Sequence, residues 1–114
     1  MKLDPARFNL SVYRGDTYSW RFVLWQDRAR TIPVDLDGIT PKAEIRDRPG
    51  GAVMVDLPLD IELPNIIVAK LSADDGKKLT RNGVWDLQLT INAASVVATV
   101  IAGHVFVRAQ VTDS

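Results

Sequence analysis

The 114-residue chain has no cysteine, so neither disulfides nor thiolate metal sites can hold it together, and its stability must come from a hydrophobic core. It has a single histidine, His104, which excludes multi-histidine metal sites and reads as an ordinary side chain on a strand. Net charge is missing too. Fourteen basic and fourteen acidic side chains cancel, removing the positive field that non-specific nucleic-acid or anionic-membrane binding usually requires. Neither of those partners is expected, and any partner should be protein. No stretch approaches the roughly 20 apolar residues needed to span a bilayer. The first ten residues carry Lys2, Asp4 and Arg7 without an apolar run, so no secretory signal is expected and the chain should begin in the cytoplasm of the cell that makes it.

What remains is ordinary for a folded domain: 46% hydrophobic and 25% charged residues, at a length that suits one core. Residues 1–114 are expected to form a single domain. Phe8, Leu10 and Val12 alternate with polar residues and predict a first strand, Phe8 to Tyr13, which Arg14-Gly15-Asp16 interrupts. Tyr18 to Trp25 alternates again, with Tyr18, Trp20, Phe22 and Leu24 in one phase, so the two segments are expected to form a hairpin. Gln26 to Thr31 is polar connection, Val34 to Leu36 leaves room for a short strand, and Asp37-Gly38 marks a turn.

Ala43 to Arg46 predicts a third strand, ended by Pro49-Gly50-Gly51. Val53 to Leu57 and Ile66 to Leu71 are β-branched segments expected to pair with each other across a connection bearing Pro58 and Pro64. Ser72 as a cap, Asp74 and Asp75 in a first turn and Lys77 and Lys78 at the end predict one or two helical turns. Trp85, Leu87, Leu89 and Ile91 alternate strictly, Asn92 to Ser95 forms a turn, and Val96 to Val111 is too β-branched for a helix. Gly103, in the middle of that last strand, is expected to mark a bulge or bend. Together these segments predict an all-β fold, an immunoglobulin-like antiparallel β-sandwich of about seven strands with one short helix, with no βαβ alternation to suggest a parallel sheet.

The residues show no catalytic site. Serines 11, 19, 72 and 95 lie outside any Gly-x-Ser-x-Gly pattern, and the glycines never form a phosphate cradle between strand and helix. Asp35 and Asp37 suit turn chemistry better than a calcium loop. No enzyme activity, metal or cofactor is expected. Arg14-Gly15-Asp16 matches a tripeptide of integrin ligands, but turn geometry accounts for its glycine. Among the three tryptophans, Trp20 and Trp85 fall in the inward phase. Trp25 falls in the opposite phase, either as an exposed interface aromatic or as a cover for the sandwich edge.

The motifs Phe8-Asn9-Leu10-Ser11-Val12-Tyr13-Arg14-Gly15-Asp16-Thr17, Val34-Asp35-Leu36-Asp37-Gly38-Ile39-Thr40, Ala43-Glu44-Ile45-Arg46 and Gly83-Val84-Trp85-Asp86-Leu87-Gln88-Leu89 resemble a family of small immunoglobulin-like domains. These domains belong to tailed-phage and prophage structural modules and include the amino-terminal domain of baseplate upper proteins. The resemblance spans residues 8–111 and describes fold, not catalysis. It implies a non-enzymatic structural protein of the virion, made in the host cytoplasm, which attaches to other virion proteins in the tail, baseplate or neck in multiple symmetric copies. Head decoration and host-surface glycan binding are the alternatives. Without the long extension that baseplate upper proteins often carry, a small accessory or connecting role is implied. Attachment is expected through a sheet edge, either the first strand or the favoured end of the last, His104 to Val111. The candidate interface residues are Trp25, His104, Phe106 and Arg108.

Overall fold

In the computed structural model, which describes residues 5–109, the chain runs through β1 (Ala6–Arg7), β2 (Leu10–Tyr13), β3 (Tyr18–Val23), β4 (Ile39–Arg46), β5 (Val53–Leu57), β6 (Leu59–Glu62) and β7 (Ile66–Leu71). A single helical turn, α1 (Ala73–Gly76), then precedes β8 (Gly83–Ile91) and β9 (Val96–Arg108). The strands form two sheets. The larger has the order β1-β9-β8-β4-β5 with β2 also on β9, and the smaller has the order β3-β7-β6. The fold is an all-β sandwich, as the alternating apolar pattern demands.

Period-two alternation sets which side chains enter the core. On β8, Trp85, Leu87 and Leu89 are buried while Val84, Asp86 and Gln88 are not. Register aligns these inward residues with Ile45, Ala43 and Pro41 on β4. Pro41 is tolerated because β5 pairs with β4 only from Ala43 onward, so no neighbour on that side needs the missing N–H. From the smaller sheet, Ile67, Ala69 and Leu71 close the core. Leu79, fully buried after α1, seals one end. Ser72 caps α1 by accepting from the Asp75 amide at 3.1 Å.

Several sequence expectations are corrected. β2 and β3 do not form a hairpin: β2 pairs with β9 in the larger sheet and β3 with β7 in the smaller. Arg14-Gly15-Asp16 is therefore a crossover between sheets. Gly15 takes a φ of 91° there, and Arg14 Nε donates to the Lys77 carbonyl at 3.0 Å. Val53–Leu57 pairs with β4 rather than with β7, whose hairpin partner is β6, in the segment expected to be connection. Val34 and Leu36 are buried but form no strand. Pairing is antiparallel except where β1 and β2 run parallel to β9. These are the first and last described strands, so the whole of the intervening chain supplies the return between them.

β9 carries an irregularity, but not at Gly103. The register jumps at Leu87 and Gln88, leaving Val100 as the extra residue. Gly103 serves a close approach instead, because a Cβ there would collide with the Phe8 carbonyl. The strand ends at Arg108; Gln110 and Val111, expected to continue it, lie outside the described residues. Trp85 is buried as expected, whereas Trp20 is only half-buried and packs against the core, stacked on Tyr18 at 5.5 Å.

Candidate protein interface

The structure separates the four candidate interface residues. His104, Phe106 and Arg108 share the outer face of β9, since Val105 between them is fully buried. The His104 and Phe106 rings stack at 6.1 Å. β2 lies alongside, placing Ser11 beside Phe106 and Tyr13 beside Arg108. The expectation that this strand forms a sheet edge holds only beyond Val105: β1 and β2 pair along one side of β9, and β8 pairs along the other as far as Val105. Past that point no described strand lies on the β8 side, where the Val107 amide donates to the Asn82 side-chain oxygen at 2.8 Å. Its outer residues offer a face, and Phe106 to Arg108 have a strand partner on one side only. Trp25 sits elsewhere, half-buried just past β3 and bridged to Pro33.

Above the outer face of the larger sheet lies a shallow hollow of about 570 Å³ that includes Arg7, Glu44, Arg46, Asp86 and His104. Glu44 and Asp86 are cross-strand partners, an unfavourable pairing of like charges. Partial burial raises the Asp86 carboxyl above its ordinary value, Glu44 raises it further, and Arg46 opposes the rise. Glu44 is itself bracketed by Arg46 at 3.1 Å and Lys42 at 3.8 Å. No serine or threonine among the described residues lines the hollow. Among the described residues, no three His, Asp or Glu side chains are placed to hold a metal ion.

A second concavity, of about 620 Å³, opens where the end of β3 meets β1 and β9. Its apolar lining includes Phe8, Phe22 and Trp25. The Phe8 ring meets Phe22 edge-on at 5.4 Å, and Phe22 stacks on Trp85 at 5.6 Å, tying this lining to the core. Around it stand Arg7, Arg21, Arg28 and Arg30 against one acid, Asp27. Such a concentration is absent from the chain's net charge of zero.

The loop bearing Arg28 and Arg30 is built by Asp27. One of its carboxylate oxygens accepts from the amides of Thr31 and Ile32, both at 2.9 Å, and the other accepts from the Thr31 hydroxyl. The Thr31 hydroxyl bond, then the Ile32 amide bond, holds the Asp27 carboxyl below its ordinary value. Arg30 adopts a positive φ of 59° to close the loop. The loop's base is fixed in turn by Asn65, buried at 5% exposure, whose side-chain nitrogen donates to the Leu24 carbonyl at 2.9 Å. The Val34 amide reaches the same carbonyl at 3.1 Å. Sequence reasoning treated Gln26 to Thr31 as plain connection. The available signal was the Asp27 to Thr31 spacing, which suits a side-chain-capped loop, with arginines inside it and Trp25 next to it.

Beside this concavity runs the open edge of β3. Antiparallel pairing turns alternate residues toward the partner strand. The Leu24 amide donates to the Asn65 carbonyl at 2.8 Å, so Tyr18, Trp20 and Phe22 face β7 in the same phase. The backbone groups of Ser19, Arg21 and Val23 therefore point outward, where no described strand pairs with them. The other open edges are shorter or disturbed: β2, the first strand named as an alternative attachment edge, is indeed an edge strand paired only with β9, but over four residues. β5 is disturbed by the register shift near Met54, and β6 is short and carries exposed Asp60 and Glu62. Comparison with protein-family models and with curated protein sequences returned no match for this chain.

Proposed function

We propose that this domain is a non-catalytic attachment module of a tailed-phage particle, which holds neighbouring structural proteins of the tail, baseplate or neck through the open edge of β3. The observation that carries it is the row of outward backbone groups at Ser19, Arg21 and Val23, the longest undisturbed open edge among the described strands. A partner strand added there gains main-chain hydrogen bonds, and alternate side chains supply selectivity. The phage context rests on the motifs quoted above. Those motifs occupy β2 and its crossover, the approach to β4, β4 itself and β8, so they frame the larger sheet and leave β3 free to vary with its partner. The chain is made in the host cytoplasm and built into the virion in multiple copies, each reusing one patch as symmetric assemblies do.

Ser19→Pro tests this reading. It removes one outward donor and leaves the β3–β7 ladder intact. The variant should melt within a few degrees of the parent, while its copies in purified particles fall to background. Full incorporation of a folded variant removes β3 from the account. Absence of even the parent chain from particles removes the virion role itself.

A further inference from the structure

Three features meet beside the β3 edge: a concavity with an aromatic lining, arginines without acidic partners, and unpaired backbone. Arg28 and Arg30 have no carboxylate within ion-pair distance among the described residues, Arg21 reaches Glu62 only at 3.8 Å between two exposed side chains, and Arg7 stands at the rim with its register on the outer face of the larger sheet. The one acid in the concavity, Asp27, is committed to its own loop through Thr31 and Ile32. Arginines gathered in this way repel one another, and a domain of zero net charge gains nothing in solubility from the arrangement. An incoming anion relieves the repulsion and supplies the missing acceptors.

We propose that this concavity receives an acidic, extended segment of a partner protein, which pairs with the β3 edge, sets carboxylates against Arg28 and Arg30, and seats one apolar side chain against Trp25 and Phe8. The inference rests on the reading of β3 as the attachment edge and adds to it the chemistry of the partner. The occupant is a peptide because the arginines adjoin a strand edge whose N–H and C=O groups a polypeptide can satisfy in alternation. Nucleic acid offers no such ladder. The aromatic lining distinguishes the site from a bare anion site, since Phe8 stays 43% exposed although it lies in the inward phase of the first strand. Electrostatic attraction speeds encounter and sets selectivity, while the apolar side chain and the backbone ladder set residence time.

The test uses the full chain and three synthetic extended peptides of one length, alternating valine with glutamate, glutamine or lysine, each with a central phenylalanine. Calorimetric titration should show the glutamate peptide binding at least about tenfold more tightly than the glutamine peptide, with the advantage shrinking as salt rises. The lysine peptide should not bind. The double variant Arg28→Glu, Arg30→Glu should abolish the glutamate preference while leaving the melting curve unchanged, because neither side chain bonds another side chain or backbone group among the described residues. Equal binding of the glutamate and glutamine peptides overturns the acidic-partner proposal and leaves the β3 edge standing. Binding of none of the peptides overturns the proposal and counts against the edge as well. Inorganic phosphate or a single-stranded oligonucleotide displacing the glutamate peptide at lower concentration than the peptide's own dissociation constant also overturns it, in favour of a small-anion or nucleic-acid site.

Discussion

Trp85 Nε1 donates to the carbonyl of Phe8 at 2.7 Å, across the position where Gly103 faces Trp85 in the β8–β9 register. This contact joins the amino-terminal segment to the centre of the larger sheet. Phe8 lies between β1 and β2, where the Asn9 side chain accepts from the His104 amide at 2.9 Å in place of a backbone carbonyl. The side-chain bond frees the Phe8 carbonyl to turn toward the indole. Only glycine at 103 leaves room for that carbonyl.

Trp85→Phe keeps most of the apolar volume but removes the donor, leaving the Phe8 carbonyl without its partner. The expected loss is about 1–3 kcal/mol in chemical denaturation. Gly103→Ala should destabilise as well, by forcing the amino-terminal segment off β9. Hydrogen exchange at Phe8, whose amide donates to the Ala102 carbonyl at 3.1 Å, should accelerate in both variants. Unchanged stability in both would show that the segment is held by other contacts.

Asp86 gives a pH signature of known sign. Its carboxyl titrates above the ordinary value because of burial and Glu44, so the folded state binds its proton more tightly than the unfolded state does. Its ionisation therefore lowers stability as pH rises through the folded value. Asp86→Asn should raise the melting temperature at neutral pH, through relief of a like-charge pair on the order of 0.2–1 kcal/mol. The advantage should vanish below the ordinary carboxylate range, where the parent is already protonated. An advantage that persists unchanged in acid contradicts the electrostatic cause.

Asp27 has the opposite sign. Its carboxyl titrates below the ordinary value, so its contribution to loop order is present at neutral pH and is lost as pH falls through the folded value. Asp27→Ala should speed exchange of the Thr31 and Ile32 amides while leaving β7 and β8 protected. It should also weaken any ligand of the concavity, because Arg28 and Arg30 lose their fixed placement. Equal exchange in parent and variant would mean that the loop's remaining bonds, such as the Gln26 amide to the Ile32 carbonyl at 2.8 Å, order it without Asp27.

The inward phases of β2, β3, β4 and β8 were legible in the sequence because alternation depends only on neighbours within a strand. So was the capped turn at Ser72. Which strand pairs with which was not legible. A short polar turn such as Arg14-Gly15-Asp16 joins two strands of one sheet or crosses between sheets equally well, and nothing local distinguishes the two. β6 was hidden because Leu59 and Ile61 alternate over only four residues between prolines. Gly103 was correctly marked as special, but its reason lies in Phe8, 95 residues earlier in the chain. The candidate site shared this fate: Trp25 was marked, but the arginines around it gather from β1, β3 and a loop, and only the fold brings them together.

The central claim, attachment through β3, is tested most directly by residue-resolved hydrogen exchange on the free domain and on the purified particle that carries it. The amides of Ser19, Arg21 and Val23, which point outward and find no partner strand among the described residues, should exchange freely in isolation and become protected on assembly. Trp20 and Phe22, already bonded to β7, should change little. If the three outward amides exchange as fast in the particle as in the free domain, and new protection falls instead on the outer face around Tyr13, Phe106 and Arg108, then the domain attaches by its face and the edge account is wrong.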